Sequence, residues 1–125
     1  MHADLIPPTR CVLVLVHYQQ RLMPLIHRGE QAVAHALRLA DAAGELGIPV
    51  VGTEQNPAGL GPNHDAIRQR CASTLVKMHF DACEDGLLDA ITDKDEVVIA
   101  GCEAHVGLMQ TALGLLRAGK RVWVV

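Results

Sequence analysis

Apolar residues fall into two kinds of cluster along this chain. Five short, β-branched runs, Val12–Val16, Pro49–Thr53, Thr74–Lys77, Glu96–Ala100 and Arg121–Val125, have the length of strands. Most lack the alternation of a half-buried strand, which predicts strands covered on both faces. Between them the period lengthens. Over Glu30–Leu46, Val33, Ala36, Leu37, Ala40 and Gly44 share one helical face, and Gly47 supplies the stop. Over Ala104–Ala118, Leu108, Thr111, Ala112, Leu115 and Leu116 do the same before Gly119. Strands hidden on both faces and alternating with helices predict a three-layer α/β/α, Rossmann-like fold, because parallel neighbours need crossovers that place helices outside. Asn56–Asn63, rich in Gly, Pro and Asn, predicts a loop after the second strand. Arg121–Val125 reads as a core strand with nothing after it as cover. The expectation is therefore one domain over 1–125, incomplete at its C-terminus or completed by another chain.

Composition narrows the class. Half of the 125 residues are hydrophobic, enough for one core. Net charge is −3, basic residues are scattered, and aromatics make up 2%; this argues against nucleic acid as a partner. No apolar run approaches a membrane span and Met1–Arg10 has no signal-like core, so no membrane is expected and the cytoplasm is the predicted location. The four cysteines lack metal-type spacing and the seven histidines are dispersed. Neither a bound metal nor a cofactor is expected.

In a parallel sheet the carboxyl ends of the strands form one rim, where residues remote in sequence converge. Three segments reach it: His17-Tyr18-Gln19, Lys77-Met78-His79-Phe80, and Gly101-Cys102-Glu103-Ala104-His105-Val106-Gly107. The last runs into a helix and offers backbone N–H groups and a positive dipole end to an anion. Taken singly, Lys77 also reads as a solvated lysine, His17 as a hydrogen-bonded core histidine and Gly107 as a close-packing residue.

Four segments in order carry a resemblance. Cys11–Val16 leads into His17-Tyr18-Gln19-Gln20-Arg21-Leu22, where an Asp-x-Gln-x-x-Leu motif would stand. Thr53-Glu54-Gln55 precedes the Gly/Pro loop, Lys77-Met78-His79-Phe80 fits Lys-x-x-Phe, and Gly101 to Val106, then Gly107 and Thr111, fits Gly-x-Glu-Ala-His-Val-Cys with its following Thr. Across nearly its whole length the chain resembles the isochorismatase-like, or cysteine hydrolase, family, especially its small bacterial and mitochondrial-type members. The resemblance implies sheet order 3-2-1-4-5, a non-proline cis peptide at Cys102–Glu103, and a last strand and helix that this sequence lacks. It also implies a triad at His17, Lys77 and Gly107, in which aspartate has become histidine and the nucleophilic cysteine glycine.

In such a triad a thiolate at a helix N-terminus beside a cation is a strong nucleophile, and backbone N–H groups hold the oxyanion. Glycine has nothing to attack with. The expectation is a hydrolase-fold protein with a degenerate triad, inactive by the covalent route, that retains a pocket for a small molecule or small anion. Cys102, Glu103, Val106 and Gly107 are the expected anion-binding segment, and Gln19, Glu54, Gln55, Phe80 and His105 the pocket. Two other readings stay open: hydrolysis of small amides or esters with His17 as base for a water near Lys77 that takes up the volume the thiol left, and a homo-oligomer subunit with a vestigial rim. Cys102 and Cys83 are each read as a buried structural cysteine or as a relocated nucleophile.

Overall fold

The computed structural model describes residues 5–125; residues 1–4, part of the N-terminal stretch discussed above, lie outside it. Five strands, β1 (Cys11–Val16), β2 (Val50–Gln55), β3 (Ser73–Lys77), β4 (Glu96–Gly101) and β5 (Arg121–Val124), form one parallel sheet in the order β3-β2-β1-β4-β5. The central β1 is buried at all six positions, as its unbroken apolar run requires. Leu13 and Leu15 face helix α1 (Gly29–Glu45) through Val33, Ala36 and Ala40. Val12, Val14 and Val16 face the other layer, where helix α5 (Met109–Arg117) contributes Leu115 and the preceding turn Leu108. The α/β/α layering and the strand order agree with the sequence reading.

Several local expectations are corrected. The outer strands β3 and β5 are not covered on both faces: most of their residues are exposed or half-buried, because each sits at a sheet edge. The buried face of α1 runs through Ala43, whereas Gly44 is exposed, since a 3.6-residue period from Val33 reaches Ala40 and Ala43. Within Asn56–Asn63, Pro57–Leu60 makes one helical turn (α2), and α3 (Asp65–Arg70) follows where no helix was predicted. A short α4 (Leu87–Ala90) precedes β4. The segment at Ala104 starts as a π-helical turn over Ala104–Leu108 and becomes α-helical only at Met109.

One side chain fastens the rim loops. Gln19 is fully buried; its Nε2 donates to the carbonyls of Gln55 (2.9 Å) and Gly61 (2.7 Å), and its Oε1 accepts from the Gln55 N–H at 2.7 Å. Gln19→Leu leaves one buried and two half-buried backbone groups without this partner, so a loss of about 2 kcal/mol is expected in urea denaturation. A midpoint unchanged from the parent would contradict that role.

Candidate functional site at the carboxyl rim

His17 begins where β1 stops. Its φ of 62° is left-handed, a region that His and Asp tolerate better than most residues. Its N–H still donates to the Thr53 carbonyl at 3.2 Å, so the ring is carried over the sheet edge by a backbone that remains tied to β2. The ring turns toward Gly107. A Cβ built on Gly107 would stand 2.5 Å from His17 Cε1 and 2.9 Å from Nδ1, contacts that real side chains do not make. Gly107 does not have a left-handed φ; it is the imidazole, not the backbone conformation, that a side chain at this position would have to displace. The expectation that water fills the vacated volume is therefore corrected: the His17 ring occupies it.

His17 is 5% exposed and its Nε2 has no hydrogen-bond partner among the described residues. Burial, then the nearby Lys77 charge, lower its pKa to about 4, against a smaller opposing pull from the Cys102 backbone. At neutral pH it is an uncharged imidazole.

Lys77, the last residue of β3, is 1% exposed, so it is not a solvated strand-end lysine. Its ammonium donates to Gln55 Oε1 (2.7 Å), to the Phe80 carbonyl (2.9 Å) and to the His79 carbonyl. Three protons meet three acceptors. Burial lowers its pKa to about 8, while Asp85 and Asp81 act in the opposite sense; Glu103 is exposed. Thr111, the threonine of the last motif, ties this cage to the helix. Buried on α5, its Oγ1 donates to the Phe80 carbonyl (3.2 Å) and accepts from the Ala82 N–H (3.0 Å), so the Phe80 oxygen joins Lys77 to the helix. One helical turn on, Gly114 lets the Asp81 carboxylate approach to 2.6 Å of where a Cβ would be.

The remaining predicted residues separate into two groups. Gln19 and Glu54 are buried and committed to the protein: Glu54 Oε2 accepts from the Asn63 N–H at 2.8 Å and pairs with Arg68 at 3.4 Å. Gln55 is half-buried, holding Lys77 through Oε1 and donating through Nε2 to the Met78 carbonyl at 3.0 Å. Phe80 and His105 are exposed and Val106 is half-buried. The Val106 N–H donates to the Glu103 carbonyl at 3.1 Å, which occupies one expected anion donor. The Cys102–Glu103 peptide is cis, at the bond named by the resemblance. Cys102 packs in the α1 layer with Leu13 and Tyr18, and its thiol pKa is raised by burial and Glu103. Burial and Asp81 push the Cys83 thiol up to about 12. A lowered pKa, the mark of an activated nucleophile, is found at neither.

The sequence profile of the Isochorismatase domain matches residues 11–125. The chain belongs to the isochorismatase family. Isochorismatase domain-containing protein 2 of Danio rerio is 32% identical over 117 residues, covering 91% of this chain and 59% of that protein. Isochorismatase domain-containing protein 1 of Salmo salar is 34% identical, covering 98% of this chain and 44% of that protein. Among solved structures, one described as the MAR1 ribonuclease from Caenorhabditis elegans superposes with a TM-score of 0.90 at 32% identity, covering 96% of this chain and 64% of that one. The Escherichia coli YcaC gene product, described as an octameric hydrolase of unknown specificity, shares the fold with a TM-score of 0.89 at 20% identity, covering 100% of this chain and 66% of that one. The chain thus spans less than two thirds of the length of each protein named here. Among the described residues no helix is long and apolar enough to cross a membrane.

Proposed function

We propose that this chain is a hydrolase-fold protein of the isochorismatase family with a degenerate triad at His17, Lys77 and Gly107, inactive by the covalent route, that keeps a pocket for a small anion. The observation that carries the reading is the contact between positions 17 and 107: the imidazole fills the space in which a nucleophile would project. The raised pKa values of Cys102 and Cys83 support it from the other side, since a relocated thiolate would need a lowered one. In this reading the protein is cytoplasmic and homo-oligomeric; the octameric description of the Escherichia coli neighbour favours the latter. A net charge of −3 favours a small ligand over RNA, despite the ribonuclease description of one relative.

Lys77 supplies charge to such a pocket, not a direct bond, because its three donors are already engaged. Backbone N–H groups of the Ala104–Gly107 turn other than that of Val106, which is engaged by the Glu103 carbonyl, supply the bonds. An anion beside His17 raises the pKa that burial and Lys77 hold down, so binding takes up a proton and tightens as pH falls from neutrality toward 4. Titration calorimetry with phosphate and sulfate is expected to give tighter binding at about pH 5 than at about pH 7, and none in Lys77→Met. Equal, negligible heats from both proteins would replace the pocket by a vestigial rim in a structural subunit. A second reading draws on the unpartnered Nε2 of His17: a buried neutral imidazole has the lone pair that a base for water near Lys77 requires.

A further inference from the structure

Two residues beyond Lys77 the chain builds an arrangement that none of these readings uses. His79 Nδ1 lies 3.1 Å from Asp85 Oδ2 and 3.2 Å from Oδ1. Asp85 is itself fixed in place: its Oδ2 accepts from the backbone N–H of His79 (2.9 Å) and of Met78 (3.1 Å). These bonds, that from the His79 N–H foremost, hold its carboxyl below the usual carboxylate range, so at neutral pH it is an acceptor only. An acceptor-only partner requires the proton on Nδ1, which leaves the Nε2 lone pair pointing away from Asp85. The His79 side chain is 59% exposed and that of Asp85 19%, so the lone pair meets water while its orienting group is sheltered.

The scaffold under this pair is firm. The His79 and Phe80 carbonyls accept from Lys77, and the 3₁₀ turn Ala82–Asp85 is anchored to α5 through the Ala82 N–H and Thr111 Oγ1. Base, orienter and solvent access are therefore present together, whereas the His17 ring is buried against Gly107.

We propose that His79 is a general base, with Asp85 as its positioning residue, for the hydrolysis of small uncharged esters that carry an apolar acyl group. Water oxygen adds to the ester carbonyl carbon as its proton passes to Nε2. The tetrahedral adduct then collapses, the carbon–oxygen bond to the alcohol breaks, and the leaving alkoxide takes the proton back from Nε2. Acid and alcohol are the products, and the imidazole is regenerated. Met78 (63% exposed) and Phe80 (54% exposed) flank His79 and offer apolar surface to the acyl chain. Asp81, Glu84 and Asp85 crowd the same turn and disfavour anionic substrates. Neither a thiol nor the loss of cysteine at position 107 enters the step, so the proposal stands or falls apart from the covalent-route reading.

Hydrolysis of p-nitrophenyl butyrate by the whole chain, corrected for buffer, tests it. His79→Gln is expected to lower the enzymatic rate by about a hundredfold, the low end for general-base catalysis, and to abolish a histidine ionisation in the pH–rate profile. His27→Gln, which removes another exposed histidine, is expected to hydrolyse like the parent. Asp85→Asn should lower kcat with KM unchanged and displace the pH–rate profile. Because Asp85 also binds two backbone N–H groups, its variant is checked for fold by circular dichroism; His79→Gln leaves those bonds intact and carries the test alone. Parental rates in His79→Gln, or equal losses in His27→Gln and His79→Gln, would overturn the proposal. So would a burst of acyl-imidazole, which makes His79 a nucleophile and not a base.

Discussion

The double variant His17→Asp/Gly107→Cys is expected to carry a reactive thiol at position 107, which neither single change supplies in working form. Gly107→Cys alone drives a Cβ to within 2.5 Å of the His17 ring. Overpacking of that kind costs about 1–3 kcal/mol, and the ring has little freedom to yield because it is 5% exposed. His17→Asp alone empties the space and provides nothing to fill it. Together the two changes exchange a large and a small side chain, so their stability effects should be strongly non-additive, with a coupling of about 1–3 kcal/mol. Aspartate also tolerates the left-handed backbone at position 17. The new thiol would sit on the π-helical turn ahead of α5, near the Lys77 ammonium, a setting that lowers a thiol pKa. Iodoacetamide at neutral pH is expected to label it faster than the four native cysteines, and Lys77→Met in the same background to slow it. Additive stabilities, or labelling no faster than that of Cys71, would contradict the coupling.

Acid should unfold this chain early, and through His17. Its folded pKa of about 4 lies below the ordinary histidine value of 6.5, so the unfolded chain binds more protons between those limits. Stability is then present in full above about pH 6.5 and is lost as pH falls through about 4, by about 3 kcal/mol in total. Lys77 obeys the same sign in another window: with a folded pKa of about 8 against 10.5, its contribution to stability rises with pH across that interval. Urea midpoints measured from about pH 7 to about pH 4 should fall steeply for the parent and much less for His17→Asn. Asparagine keeps the left-handed backbone without a titrating ring. Parallel curves for the two proteins would mean that His17 is not buried neutral.

Residue chemistry explains which parts of this picture were legible beforehand. The covered strands advertised themselves: β1 and the apolar positions of β4 have nowhere polar to face, so continuous apolar runs pointed to a parallel sheet with two helical layers. The edge strands β3 and β5 have similar composition, and their exposure follows from sheet order, which no local pattern encodes. Helix α3 was missed because Asp65–Arg70 buries only Ile67, too little for a period to register. Rim positions were legible through strand ends and the resemblance, but their contacts were not. The pressing of His17 on Gly107 depends on β1 and β4 being neighbours and on a left-handed turn after β1. The Lys77 cage depends on two carbonyls of the following bend. His79 and Asp85 had a faint signal, a histidine followed by an acidic run at the end of a strand, yet only the 3₁₀ turn brings the carboxylate back to the ring.

Loss of the covalent route is tested most directly by relating activity to thiol modification in the unaltered protein. The chain is treated with iodoacetamide, and residual ester hydrolysis is plotted against the modified fraction of each of Cys11, Cys71, Cys83 and Cys102 from peptide mass spectrometry. With position 107 a glycine filled by the His17 ring, hydrolysis is expected to stay at its starting rate while the accessible thiols are consumed and the fold is retained. Activity that declines in step with modification of Cys102 or Cys83 would contradict the account and identify a relocated nucleophile.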